Sequence, residues 1–213
     1  MIAAIAAVPG GQRFMVNSPD NPHIHARPRV QQGHEMMRFL RLFARQRPET
    51  NVRAVYEAIV AAARHPRLYA DYGVPDTVDG RYDMIILHLI LVLERLKSGV
   101  EGGALAQRLT DYFFADMDRS LREMGVGDLS VSKKVRRMAE VFYGRARAYA
   151  QALDGKSPEV FAQALARNVF PDETMPHGAG RLAGYASSLH EHLHKVATES
   201  ILAGHFKFAE PPA

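Results

Sequence analysis

The chain contains no cysteine. That removes disulfides, thiolate metal sites and cysteine nucleophiles together, and it fits a reducing compartment. No apolar run reaches the ~20 residues that crossing a bilayer requires. The densest one, Met84 to Leu93, is interrupted by His88. There is no Gly-x-Gly-x-x-Gly, no phosphate-loop lysine motif and no Gly-x-Ser-x-Gly. Nor is there an alternating strand pattern to build the sheet on which such sites sit. These absences leave catalysis no visible seat.

What is present is ordinary for a globular domain. The chain has 213 residues, of which 47% are hydrophobic and 23% charged. A chain of this length buries roughly 70% of its unfolded surface, enough for one sizeable core. The formal net charge is +4, a mild excess that favours acidic partners only where the cations cluster. Periodicity predicts an all-α fold, a single-domain bundle of about six to seven helices around a buried central helix. That centre is Arg81 to Lys97, apolar on every face through its middle, as expected of a helix surrounded by others. The charged residues that bracket it, Arg81 and Asp83 before and Glu94, Arg95 and Lys97 after, are expected to bring its ends to solvent. His88 within it is expected to be a hydrogen-bonded core residue.

Residues 1–35 carry prolines at 9, 19, 22 and 28 and no sustained periodicity. They read as a disordered extension, with residues 36–210 forming the helical domain. The opening apolar run has no basic segment before it, which argues against a signal peptide, and the prolines argue against an amphipathic presequence. The Met36-Met37 pair, where periodicity begins, is a candidate alternative start. A short basic helix follows, from Met37 to Arg45. Asn51 then caps a helix running to about Arg64, and Leu68 to Gly80 reads as a connection. After the central helix the pattern predicts helices over about Ala104–Met124, Ser132–Leu153 and from Ser157-Pro158 onward. Gly125 suits a left-handed cap between the first two. A last helix is predicted over about Gly180–Leu202.

Three constellations compete as functional sites. On the Ser132–Leu153 helix, Lys133, Lys134, Arg136, Arg137, Arg145 and Arg147 form a basic stripe opposite an apolar arc. Anionic lipid headgroups, ribosomal RNA phosphates or an acidic protein are its candidate partners. Asp116 and Asp118 resemble a metal-binding Asp-x-Asp, but on a helix they point about 160° apart, and salt bridging is their expected fate. His190, His192 and His194 alternate, so only His190 and His194, one turn apart, could chelate together. They support an alternative reading, a helical metalloprotein or enzyme that draws a carboxylate from another helix.

Several strings resemble the ubiquinol-cytochrome c chaperone family. One is Leu87-His88-x-x-Leu91-x-Leu93-x-Arg95-Leu96. A longer one is Asp116-x-x-x-x-Leu121-Arg122-x-Met124-Gly125-Val126, followed by Lys133-Lys134 and Phe142-Tyr143. Leu165 to Phe170 and Leu202-x-Gly204-x-Phe206 follow in order. The resemblance covers roughly residues 50 to 210. It implies a non-enzymatic, cofactor-free chaperone for respiratory complex III that binds newly made (nascent) cytochrome b. A small partner chaperone, the ribosome and an anionic membrane surface are the further partners it brings in, and it implies no DNA. It places the protein on the cytoplasmic side of the inner membrane, peripherally, or on the matrix side of the mitochondrial inner membrane in a eukaryote. A client helix needs an apolar groove, which the Pro171–Pro176 linker and the Leu68–Gly80 connection are placed to border.

Overall fold

The computed structural model describes residues 51–97, 99–171 and 177–212. The extension assigned to residues 1–35, the expected Met37–Arg45 helix and residues 172–176 of the proline linker lie outside these. Among the described residues the chain is all-helical, in the order α1 (Val52–Ala63), α2 (Pro66–Ala70), α3 (Val78–Leu96), α4 (Val100–Glu123), α5 (Asp128–Asp154), α6 (Pro158–Val169), α7 (His177–Lys195) and α8 (Thr198–Ala203).

Local sequence explains most of the boundaries. Asn51, Thr77 and Ser157 accept hydrogen bonds from the amides of Ala54 (3.1 Å), Gly80 (3.1 Å) and Val160 (3.4 Å), opening α1, α3 and α6. Each satisfies an amide that the first helical turn leaves without a partner. Gly125 ends α4 at φ +79°, with Val126 N–H donating to Leu121 O at 3.1 Å. A left-handed residue at this position suits glycine, and the bond satisfies a terminal carbonyl. The Leu68–Gly80 connection is not wholly irregular. Pro66 starts the short α2, and Leu68, Tyr72 and Val74 are buried.

Helix α3 is the centre of the bundle. It packs against α1, α4, α5, α6 and α7. Every side chain from Met84 to Val92 is buried. Each large aliphatic hidden in this way contributes about 1.5–3 kcal/mol relative to exposure.

The bracketing charges of α3 do not all reach solvent. Arg81 and Lys97 do, but Asp83 and Arg95 are each only 8% exposed. Asp83 pairs with Arg145 of α5. Arg95 reaches the end of α7 and the start of α8, where its Nε donates to Leu193 O at 3.0 Å and its Nη2 to Val196 O at 2.8 Å and Thr198 Oγ1 at 2.9 Å. His88 is fully buried, its Nδ1 2.8 Å from Met84 O and its Nε2 2.9 Å from the Tyr185 hydroxyl. A buried polar group without a partner costs about 1–3 kcal/mol, and all three have one.

Arg95 also explains a boundary that sequence reading misplaced. The last predicted helix, Gly180 to Leu202, is two helices, and α7 stops at Lys195 with neither glycine nor proline behind it. The guanidinium occupies carbonyls at the C-terminus of α7, where a cation and a donor are both favourable. The chain beyond α8 then runs without helix. Phe208 sits 5.7 Å from the His88 ring, while Arg67 donates to Pro211 O at 2.9 Å and Tyr72 to Pro212 O at 3.2 Å.

Candidate functional site

The basic stripe lies on α5, which begins at Asp128, earlier than periodicity alone suggests. Lys133, Lys134, Arg136, Arg137 and Arg147 are exposed. Arg136 meets Glu140 at 3.5 Å, one turn on. Among the described residues Lys133, Lys134, Arg137 and Arg147 have no ion pair.

Arg145 departs from the stripe. Its side chain is 14% exposed and turned inward, with Nη1 on Asp83 and Nη2 donating to Asn168 O at 3.0 Å. Its position explains this. Arg145 follows Phe142 by three residues and precedes Tyr149 by four, which puts it on the buried face of α5. That spacing was visible in the sequence. What was not visible was Asp83, 62 residues earlier, waiting to pair with it.

Between α3, α4 and α5 runs a groove of about 730 Å³. Met117 and Leu121 line it from α4, Met124 from the residue that follows α4, and Met138 and Val141 from α5. Met124 is 61% exposed and Val141 36%, so apolar surface faces solvent here. Arg64, Lys134 and Arg137 stand among the same lining residues. The Asp83–Arg145 pair forms part of the wall. Burial pushes the Asp83 carboxyl up to about 6 against the opposing pull of Arg145. Tyr82, beside it, donates to Met138 O at 3.3 Å, and burial raises its hydroxyl to about 12. The apolar face of α4 is buried at Met117 and Leu121, but at Met124 its C-terminal end runs out past the neighbouring helices. Of the expected borders, Val78, Asp79 and Pro171 do line the groove.

The strings that carried the family resemblance are mostly structural. His88 and Arg95 pin α3. Asp116 accepts from the Tyr56 hydroxyl at 2.9 Å and lies 3.8 Å from Arg119. Arg122 joins Asp118 at 2.6 Å and Asp128 across the α4–α5 turn that Gly125 makes. Leu121 is buried, and so is Phe142, whose ring meets Phe113 at a tilt and Phe114 and Tyr143 edge-on. Met124 and Tyr143 are the string residues that show a large apolar surface, at 61% and 56% exposure.

His190 and His194 are brought together, ring centroids 4.5 Å apart and nearly perpendicular. They line a second cavity of about 550 Å³ with Glu191, Lys156 and Lys195. His192 points elsewhere, its Nε2 3.1 Å from Lys207 O. Burial, followed by the neighbouring His194, holds the His190 imidazole below its ordinary pKa. Among the described residues no group of three or more histidines and carboxylates gathers within reach of one ion. Among the described residues no carboxylate from another helix joins His190 and His194 to complete the set that the metalloprotein reading calls for.

Residues 70–208 match the family described as ubiquinol-cytochrome C chaperone. Among solved structures, the chain is similar to the crystal structure of the Cbp3 homolog from Brucella abortus. The two are 42% identical over 81% of this chain and 97% of that one, with a TM-score of 0.72. No curated protein matches the sequence.

Proposed function

Since the chain belongs to the ubiquinol-cytochrome c chaperone family, we propose that it is a non-enzymatic assembly factor for respiratory complex III, binding newly made cytochrome b at the membrane. The observation that carries this reading is the face of α5, where a solvent-facing apolar groove adjoins cations that no carboxylate neutralises among the described residues. A hydrophobic client held outside the bilayer needs apolar surface against which to bury its side chains. The cations supply the means of staying near the place where that client is made.

Each basic residue close to an anionic membrane contributes about 1 kcal/mol, so Lys133, Lys134, Arg137 and Arg147 together give a useful but reversible hold. Among the described residues no helix is long and apolar enough to cross a membrane. The association we propose is therefore peripheral, on the cytoplasmic face of the inner membrane or, in a eukaryote, on the matrix face of the mitochondrial one. Ribosomal RNA or a small acidic partner chaperone would meet the same four cations by the same electrostatics.

The test is removal of the protein from its parent cell. Cytochrome b and complex III activity should fall while the other respiratory complexes keep their normal levels. Normal accumulation of cytochrome b would overturn the reading. For the docking face, reversing Lys133, Lys134 and Arg137 to glutamate should abolish co-sedimentation with vesicles containing anionic lipid. Arg145 is left in place, because a carboxylate there would face Asp83.

A further inference from the structure

The groove between α3, α4 and α5 is apolar within and positive around its mouth. Three of its residues, Met117, Met124 and Met138, are methionines. Methionine is unbranched and polarisable, so such a lining adapts to side chains of differing shape rather than selecting one. Its buried polar groups are already satisfied. Asp83 holds Arg145, Arg145 also donates to Asn168 O, and Tyr82 donates to Met138 O. No wall residue waits for a polar ligand deep inside.

The charge at the mouth is different. Arg64, Lys134 and Arg137 are exposed and carry no ion pair among the described residues, whereas Arg81, in the same lining, is already held by Asp76 at 2.7 Å. At about 730 Å³ the groove falls within the range of ~300–1,000 Å³ typical of ligand clefts. That is too small for a whole helix and suited to the anchoring face of one. Helices that lie in grooves bind this way, through side chains at i, i+3 or i+4, and i+7.

We infer that this groove receives an apolar helical segment of the client through one aliphatic face, with a carboxylate flanking that segment set against Arg64, Lys134 and Arg137. The inference rests on the cytochrome b reading and deepens it by specifying the chemistry of the segment bound. A phospholipid would offer the same cations a phosphate. Asp79 argues against it, because it stands in the first turn of α3, the one helix N-terminus among the lining residues and the natural seat for a phosphate.

The experiment places a photo-crosslinking phenylalanine at Val141, at Met124 or, as a control outside the groove, at exposed Val160 of α6 in the full chain. Cytochrome b is then synthesised beside it in a translation extract supplied with membrane vesicles. Crosslinks to cytochrome b should form from positions 141 and 124 and not from 160. The K134E/R137E variant, both of whose sites are exposed, should keep its melting temperature and lose about tenfold in crosslinked product. Replacing the flanking carboxylate of the captured segment with lysine should restore the yield in that variant. If cytochrome b is captured only through other positions, the groove assignment is wrong while the chaperone reading stands. Phospholipid captured at 141 and 124 in place of polypeptide would also overturn it. If cytochrome b is captured from no position and does not co-purify, the reading beneath the inference falls as well.

Discussion

Asp83, His88 and Arg95 of α3 each meet a partner at least 62 residues away in the chain. Lys133, Lys134, Arg137 and Arg147 of α5 meet none among the described residues. Both helices mix apolar and charged residues, yet α3 turns three of its polar groups inward and α5 leaves most of its own in water. The difference lies in the neighbours. Five helices surround α3, and two of them, α5 and α7, bring a complementary group to the point where an α3 polar side chain arrives. Among the described residues no helix covers one face of α5, and Lys133, Lys134, Arg137 and Arg147 there meet no carboxylate. Arg145 belongs to α5 by sequence and to the α3 pattern by environment.

Breaking that crossover should have the largest effect. Arg145→Leu leaves the Asp83 carboxylate buried and uncompensated, at an expected cost of about 3–5 kcal/mol in unfolding free energy by denaturant titration. Asp83→Asn in the same background should recover much of it. A stable single variant would show that the pair is not what holds α3 to α5.

The next effect depends on pH. Burial brings the His88 imidazole from 6.5 down to about 4. Between those values the unfolded chain binds a proton that the folded chain refuses. The contribution of the neutral ring is therefore complete above pH 6.5 and lost as pH falls towards 4, about 3 kcal/mol in all. The buried Asp83 carboxyl, raised from 3.8 to about 6, gives a slope of the opposite sign over much of this window. The His88 share is therefore read as the difference in denaturant midpoint between the protein and His88→Gln, which should grow as pH rises from 4 to 6.5.

Arg95→Leu should cost about 2 kcal/mol by stripping partners from the end of α7. Amide exchange should then quicken around residues 193–203 more than in α5. The smallest effect sharpens the contrast from the other side. Alanine at Lys133, Lys134, Arg137 or Arg147 should change stability by less than about 0.5 kcal/mol, while each weakens binding to anionic vesicles. A large stability loss at any of them would mean that the exposed face is structural after all.

Features set by neighbours in sequence were legible before any coordinates. The all-helical class, the buried Met84–Leu93 centre, the Asn51 and Ser157 caps and the left-handed Gly125 all follow from residues within a turn or two of one another. Features set by distant residues were not. The end of α7 at Lys195 depends on Arg95 of α3, and the inward turn of Arg145 depends on Asp83. The groove went unseen because an apolar arc on α4 looks the same in sequence whether its last turn is covered or bare. The family strings were informative about kinship and only partly about location. His88, Arg95, Asp116, Arg122 and Gly125 hold the bundle together, while of the groove's apolar lining the strings contain Leu121 and Met124 but not Met138 or Val141.

The segment after α8 has a consequence for the order in which the protein matures. Arg67 and Tyr72 are bonded to carbonyls 144 and 140 residues downstream, and Phe208 closes over His88. During synthesis the ribosome delivers α2 and α3 long before it delivers their cover, so the greasy centre stays partly unroofed until translation reaches the final prolines. A member of a chaperone family thus passes through a vulnerable interval of its own.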